Sequence, residues 1–300
     1  MNSNERFHNH IQAELPPTFL ERLAKKQISQ IAFSQDGTKL AAGGEKRIWI
    51  YDLTDRKQST LLSGHADRIR ALAFSPDNRT LASASQDRTL RLWDTDTSNE
   101  IAILAGESSS IVNALGSSPD GVPLTAWNEE IMRLLGSSDA EPSKIRAITF
   151  SSDRNTLVSG GVDGKIRIWE IDSGRQLKTI AAHDGLVMGL AFSPDGKILA
   201  SCGSDTAVRL WELETEHLLA TFTAHSDSVN ALAFTKDGQM LASGGRDPII
   251  RLWNVNARGM MFTMDTKVGF VWELAFWKTK KYNEPMLAVL SRNGELFLRG

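Results

Sequence analysis

The sequence predicts an all-β fold built from repeated four-stranded antiparallel units, and three observations predict it. The chain repeats itself at a fixed interval: Phe150, Phe192, Phe234 and Phe276 are spaced evenly by 42 residues, as are Trp169, Trp211 and Trp253. Each repeat reads as short strands broken by turns. Several close on the same signature, Leu92-Trp93-Asp94, Leu210-Trp211-Glu212 and Leu252-Trp253-Asn254. A period of this length is the mark of a stacked or radial repeat, in which one supersecondary unit buries its apolar faces against the next.

One unit justifies its strands in order. Val229, Ala231 and Ala233 alternate with Asn230, Leu232 and Phe234, a mostly apolar run expected of a strand covered on both faces. Lys236-Asp237-Gly238 supplies a turn, since glycine takes positive φ without steric cost. Met240 to Gly244 is a second strand, Arg246-Asp247-Pro248 a turn, and Ile249 to Trp253 a third strand. A shorter fourth strand precedes the next histidine, as at Leu218 to Thr223. Four short strands in about 42 residues fit one blade of a propeller.

Three segments align with little adjustment, running from His65, His183 and His225 through Phe74-Ser75-Pro76-Asp77, Phe192-Ser193-Pro194-Asp195-Gly196 and Phe234-Thr235-Lys236-Asp237-Gly238 to their tryptophans. With histidine, aspartate and tryptophan landmarks at fixed spacing, the chain closely resembles the WD40 family from about Thr18 onward. The resemblance implies a seven-bladed β-propeller, each blade a four-stranded antiparallel sheet. First strands fall around Phe33, Phe74, Ser117, Phe150, Phe192, Phe234 and Phe276. The third unit is degenerate: Ser118-Pro119-Asp120-Gly121 keeps the turn while Leu135 stands for the tryptophan. The seventh carries an insertion at Lys278 to Glu284 and reaches only a third strand, Glu295 to Leu298. In the family an N-terminal strand closes the ring, and Thr18 to Arg22 is the candidate here. Residues 1–17 are read as a polar tail and 18–300 as a single propeller domain.

Composition narrows the function. The 300 residues are 41% hydrophobic and 23% charged, with a net charge of -2, which argues against the strongly basic footprint of a nucleic-acid binder. Cys202 is the single cysteine, so neither an intramolecular disulfide nor a cysteine-based metal site is expected. His8 and His10 lack the ligand count of a metal site and read as a solvated tail. No apolar run approaches the roughly 18 residues that span a bilayer, and Met1 to Glu14 lacks a signal-peptide core. The expectation is a cytoplasmic chain without cofactor or metal, acting on protein or peptide partners as a monomer or complex subunit, with no nucleic acid and no membrane.

Ser83 with His65 and Asp87 has the residue types of a hydrolase triad, as do Ser201, His183, Asp205 and Ser243, His225, Asp247. A catalyst has little reason to carry one triad three times. The resemblance implies instead a structural hydrogen-bond network completed by Trp93, Trp211 and Trp253. Ser159, Asp163 and Trp169 keep part of it, without a histidine in place. Arg91, Arg133, Arg167, Arg209 and Arg251 share one third-strand position and reflect the repeat template.

Repeat scaffolds present partners with loops of one face. In the family two loop sets surround the central channel, one entering the first strand and one before the structural aspartate. Carried onto this sequence, they place Arg68, Arg70, Lys144, Arg146, Leu186, Met188, Ser228, Asn230, Phe270 and Trp272 there, with Gln86, Val162, Ser204 and Arg246 in the second set. Aromatic residues and arginine are the commonest interface anchors, so Phe270 and Trp272 lead the candidates, with Arg68, Arg70 and Arg246 as charged neighbours. Alternatively those aromatics merely fill a divergent blade. The leading reading is a non-catalytic protein-interaction scaffold. A regulatory or sensor propeller module from a larger protein shares that mechanism. An enzyme with a central-channel pocket is the third reading, and no convergent acid, base and nucleophile set supports it.

Overall fold

The computed structural model describes residues 28–105, 145–266, 269–277, 286–292 and 296–299, apart from short turn segments at 35, 54–58, 76–77, 88, 152–155, 171–172 and 174. Within them lie five four-stranded antiparallel sheets and one three-stranded sheet. The first holds β1 (Gln30–Phe33), β2 (Lys39–Gly43), β3 (Arg47–Asp52) and β4 (Ser59–Ser63). The second holds β5 (Ile69–Phe74), β6 (Thr80–Ser85), β7 (Thr89–Asp94) and β8 (Glu100–Ala105). The third runs β9 (Ile145–Phe150), β10 (Thr156–Gly161), β11 (Lys165–Glu170) and β12 (Gln176–Ala181). The fourth runs β13 (Val187–Phe192), β14 (Ile198–Gly203), β15 (Val208–Glu212) and β16 (Leu218–Phe222). The fifth runs β17 (Val229–Phe234), β18 (Met240–Gly245), β19 (Ile249–Asn254) and β20 (Gly259–Asp265), and the sixth holds β21 (Val271–Trp277), β22 (Met286–Ser291) and β23 (Leu296–Arg299).

This corrects the expectation of seven four-stranded blades. Five sheets have four strands, and the last has three because the described chain supplies no fourth partner for β23. The degenerate unit, read from a first strand around Ser117, the turn at Ser118-Pro119-Asp120-Gly121 and Leu135 in the tryptophan position, falls in 106–144, outside the described residues. The proposed closing strand at 18–22 and the tail before it also lie outside them.

First strands pack beside first strands, in the order β5, β1, β21, β17, β13, β9, so the earliest and latest sheets are neighbours around one axis. Four of the first strands also pack on the second strand of the sheet beside them: β5 on β2, β13 on β10, β17 on β14 and β21 on β18. The core therefore lies between sheets. Cys202, Val208, Leu210 and Phe222 of the fourth sheet meet Val229, Leu241 and Trp253 of the fifth, and Phe222 stacks on Trp253 at 4.3 Å between ring centres. Such stacked pairs add about 0.5–1.5 kcal/mol to the area they bury.

The close approach dictates residue size. A Cβ on Gly244 would stand 2.7 Å from Val271 of the next sheet, so nothing larger than glycine fits at that point of β18. The hairpin between first and second strands turns on a residue with positive φ: Gly37 (73°), Gly196 (72°) and Gly238 (69°). Asn78 (60°) fills that role in the second sheet, asparagine being one of the few other residues that tolerate it.

Candidate protein-interaction face

Two structural systems meet at the loop end of the sheets: buried polar networks that fix the loops, and the side chains those loops display. In the second sheet Trp93 Nε1 donates to Ser83 Oγ at 2.8 Å. Ser83 Oγ lies 2.7 Å from His65 Nε2, and His65 Nδ1 lies 2.8 Å from Asp87 Oδ2. The Asp87 carboxylate also accepts from the Ala66 N–H at 2.7 Å, which anchors the loop that enters β5. The fourth sheet repeats the chain through Trp211, Ser201, His183 and Asp205, at 2.9, 2.9 and 2.7 Å. In the fifth, Trp253, Ser243, His225 and Asp247 do so at 2.8, 2.7 and 2.9 Å.

The donor and acceptor roles form one directional relay when histidine is neutral with its proton on Nδ1: indole to hydroxyl, hydroxyl to Nε2, Nδ1–H to carboxylate. Burial favours that neutral form and pulls the pKa values of His65, His183 and His225 down, against the opposing bonds and charges of their aspartates. Burial raises the aspartates, but bonds from histidine and backbone N–H groups together with nearby cations carry Asp87, Asp205 and Asp247 below the usual carboxylate range. Ser83, Ser201 and Ser243 are 0% exposed, so no substrate carbonyl can approach these hydroxyls. The third sheet retains Trp169 Nε1 to Ser159 Oγ at 3.0 Å, while Asp163 pairs with Arg167 at 2.6 Å. The position 42 residues before His183 is Glu141, outside the described residues.

The two loop sets are joined by one recurrent backbone bond. Gln86 N–H donates to the Arg68 carbonyl at 2.9 Å, Ser204 to Leu186 at 3.0 Å, Arg246 to Ser228 at 2.9 Å and Arg292 to Phe270 at 3.0 Å. Four sheets thus hold the same frame while the side chains on it differ. Arg68, Arg146 and Arg246 are exposed, and Arg70, Leu186 and Met188 are half-buried. Phe270, just before β21, and Trp272, within it, remain 38% and 41% exposed. Lys144 lies outside the described residues.

Arg292 was not singled out from the sequence, yet its guanidinium sits over the Phe270 ring, 5.6 Å from the centroid. It is the sixth sheet's counterpart of Arg246, because Val271 pairs with Ser291 as Val229 pairs with Gly245. The sixth sheet lacks both aspartate and tryptophan landmarks, so only the strand register discloses the match. Among the described residues no cluster of three or more His, Cys, Asp or Glu side chains could hold a metal ion. Cys202 is buried, and burial pushes its thiol pKa upward.

A ring of sheets pinned by repeated Trp–Ser–His–Asp relays defines a repeat propeller. The chain belongs to the WD40 family: the WD domain, G-beta repeat model matches residues 19–52, 56–94, 131–170, 174–212 and 216–254. It is similar to the target of rapamycin complex subunit wat1 of Schizosaccharomyces pombe, 39% identical over 73 residues, which are 24% of this chain and 23% of that protein. It is also similar to the mouse (Mus musculus) U5 small nuclear ribonucleoprotein 40 kDa protein, 39% identical over 67 residues, 22% of this chain and 19% of that one. The matched stretches thus span less than a quarter of either relative. The crystal structure of the Cps50 (Swd1) β-propeller domain from Myceliophteria thermophila superposes with a TM-score of 0.74, covering 91% of this chain and 96% of that one at 16% identity, a likeness of fold.

Proposed function

We propose that this protein is a non-catalytic scaffold that binds partner proteins or peptides on the loop face around the axis. One observation carries the reading: the recurrent backbone bond fixes the loop frame in four sheets, while Phe270 and Trp272 stay exposed upon it. Rigid aromatic anchors beside arginines are the residue types that dominate interface energetics, and prior rigidity lowers the entropic cost of binding. Two relatives are by name a complex subunit and a ribonucleoprotein component, which supports assembly with other macromolecules. The burial of each Ser–His–Asp set supports a structural role for those residues and a non-catalytic one for the chain.

The test is an affinity capture from native lysate with wild type and a Phe270→Ala/Trp272→Ala double variant whose thermal midpoint is checked. The wild type is expected to retain a defined protein partner that the folded variant loses. Equal recovery by both would remove the aromatic pair from the interface, and no specific partner for either would count against the scaffold reading itself.

A further inference from the structure

The loop that enters a first strand carries a backbone N–H in need of an acceptor, and the sheets meet that need differently. In the second sheet the Arg68 N–H donates to Asp67 Oδ1 at 2.7 Å, and in the fifth the Ser228 N–H donates to Asp227 Oδ1 at 2.6 Å. In the fourth the Leu186 N–H donates to Ser204 Oγ at 2.8 Å. Phe270 holds this place in the sixth sheet, and both kinds of cap are exchanged there. Gly269 stands where the second and fifth sheets have Asp67 and Asp227, and Arg292 stands where the fourth has Ser204. Glycine offers no side-chain acceptor, and a guanidinium only donates. The Phe270 N–H accordingly meets no acceptor among the described residues.

Arg292 is the second unanswered donor. The arginines of the shared third-strand position are neutralised within their own sheets: Arg91 by Glu100, Arg167 by Asp163, Arg209 by Asp205 and Arg251 by Asp247. Arg292 is exposed and makes no ion pair among the described residues. Its N–H donates to the Phe270 carbonyl at 3.0 Å, and its guanidinium lies over the Phe270 ring, 5.6 Å from the centroid. Glu273, three residues beyond Phe270, is turned instead across the seam to the Ile31 N–H at 2.8 Å. A Cβ on Gly269 would meet nothing within 4 Å, so the space beside Phe270 is open. Two donors thus gather at one exposed residue, in a place where two sister sheets hold a carboxylate.

We propose that Phe270, Trp272 and Arg292 form a site for an acidic side chain of a partner protein set beside an apolar one. The partner's carboxylate takes the place that Asp67 and Asp227 fill in their own loops, one oxygen on the Phe270 N–H and the other on the Arg292 guanidinium, while the apolar side chain packs on Trp272. The inference rests on the scaffold reading and adds the partner's chemistry. A carboxylate has two oxygens for two donors, and such charge-assisted bonds are about twice as strong as neutral ones. Stacking on Phe270 holds the planar guanidinium in position before the partner arrives, which lowers the entropic cost of binding. Trp272 lies two residues along the strand, about 7 Å at an extended rise, so the partner's apolar residue falls within about two positions of its acidic one. Phosphate would also accept two donors, but the groups that fill this place in the second and fifth sheets are carboxylates, and a net charge of -2 gives the chain no general attraction for polyanions.

The test selects a displayed library of random eight-residue peptides on the intact chain, with parallel selections on Arg292→Gln and Phe270→Ala/Trp272→Ala variants of unchanged thermal midpoint. Wild-type selection is expected to enrich peptides with Asp or Glu within two positions of an aromatic or aliphatic residue. The best of these should bind Arg292→Gln about tenfold more weakly, the loss expected of one charge-assisted bond. Changing the peptide's Asp or Glu to Asn or Gln should bring a similar loss on the wild type and little further loss on Arg292→Gln. Acidic peptides that bind Arg292→Gln undiminished would overturn the site. Enriched peptides without acidic residues that still need Phe270 and Trp272 would overturn the acidic partner and leave the scaffold reading standing. No enrichment would overturn this inference, and together with an empty lysate capture it would overturn both. Tighter binding of a 20-nucleotide single-stranded oligonucleotide than of any peptide would overturn it in favour of nucleic acid.

Discussion

The fifth and sixth sheets are adjacent in sequence and in space, yet they are held by different physics. In the fifth, Ser243 and Trp253 belong to a buried polar relay anchored on Asp247. In the sixth, strand pairing places Val289 where the fifth has Ser243 and Arg299 where it has Trp253. Val289 is buried with Leu287 and Leu274 in an apolar cluster shared with Ala242 and Ile250 of the fifth sheet. The seams differ as well. Gly244 and Ala231 line the contact from the fifth sheet to the sixth, whereas Leu290 and Glu273 hold the same positions on the contact from the sixth to the first. Leu290 packs there with Ile28 and Ile31, and Glu273 Oε2 accepts the Ile31 N–H at 2.8 Å. The lesson is that a repeat fold tolerates exchange of its polar network for apolar packing, provided the register that aligns the sheets survives. A satisfied buried network specifies one arrangement, while an apolar contact of similar volume supplies stability with less direction.

The largest way to break this comparison is Asp247→Ala. It strips partners from the buried His225 and Arg251 and from the Ser226 N–H, and should cost about 3–5 kcal/mol in chemical denaturation. A loss below about 1 kcal/mol would mean that the relay contributes little and that the two sheets are held alike. Ser243→Ala comes next, leaving the Trp253 N–H and His225 Nε2 without their shared partner for about 2–3 kcal/mol. Val289→Ser runs the exchange in reverse. With no indole or histidine to bond the new hydroxyl, it should destabilise by about 1–3 kcal/mol, and a neutral result would show that the sixth sheet already holds a hidden polar partner.

The smallest effect sharpens the contrast through pH. Asp247 sits below the ordinary carboxylate range, and burial holds His225 below the ordinary histidine value of 6.5. The unfolded chain therefore takes up these protons first, so the fifth sheet's contribution is complete above pH 6.5 and is lost as acid is added. Glu273 behaves oppositely, because burial pushes its carboxyl up from 4.5 to about 8, only partly countered by the Ile31 N–H. Its contribution is complete below pH 4.5 and falls as pH rises through about 8. Thermal midpoints of wild type and Glu273→Gln should therefore diverge between pH 5 and pH 8.5, with the variant losing less. Parallel curves would place Glu273 in ordinary contact with water.

Much of the fold was legible because each landmark has a local reason. Gly196 and Gly238 mark turns by their φ, and the spacing of His225, Ser243, Asp247 and Trp253 matches the bonds they make. The blade count was not legible. A turn signal such as Ser118-Pro119-Asp120-Gly121 states that a chain reverses but not that four strands pair across it. Most of the residues on the two loop sets were readable in the same way, since Arg68, Leu186, Ser228 and Phe270, and with them Gln86, Ser204 and Arg246, follow from the repeat template. Arg292 was not, because the Lys278 to Glu284 insertion breaks that offset in the sixth sheet.

The sequence by itself determined the repeat, the strand-and-turn grammar within each unit, and which residues would need polar partners, because those depend on φ preferences, alternation and hydrogen-bonding capacity within about 42 residues. Only the tertiary structure decided which arginines are neutralised and which face outward, that Arg292 covers Phe270, and that Glu273 reaches across to the Ile31 backbone. Those facts arise between sheets, where residues as far apart as Ile31 and Glu273 meet through the curvature of the ring, and no local spacing encodes that meeting.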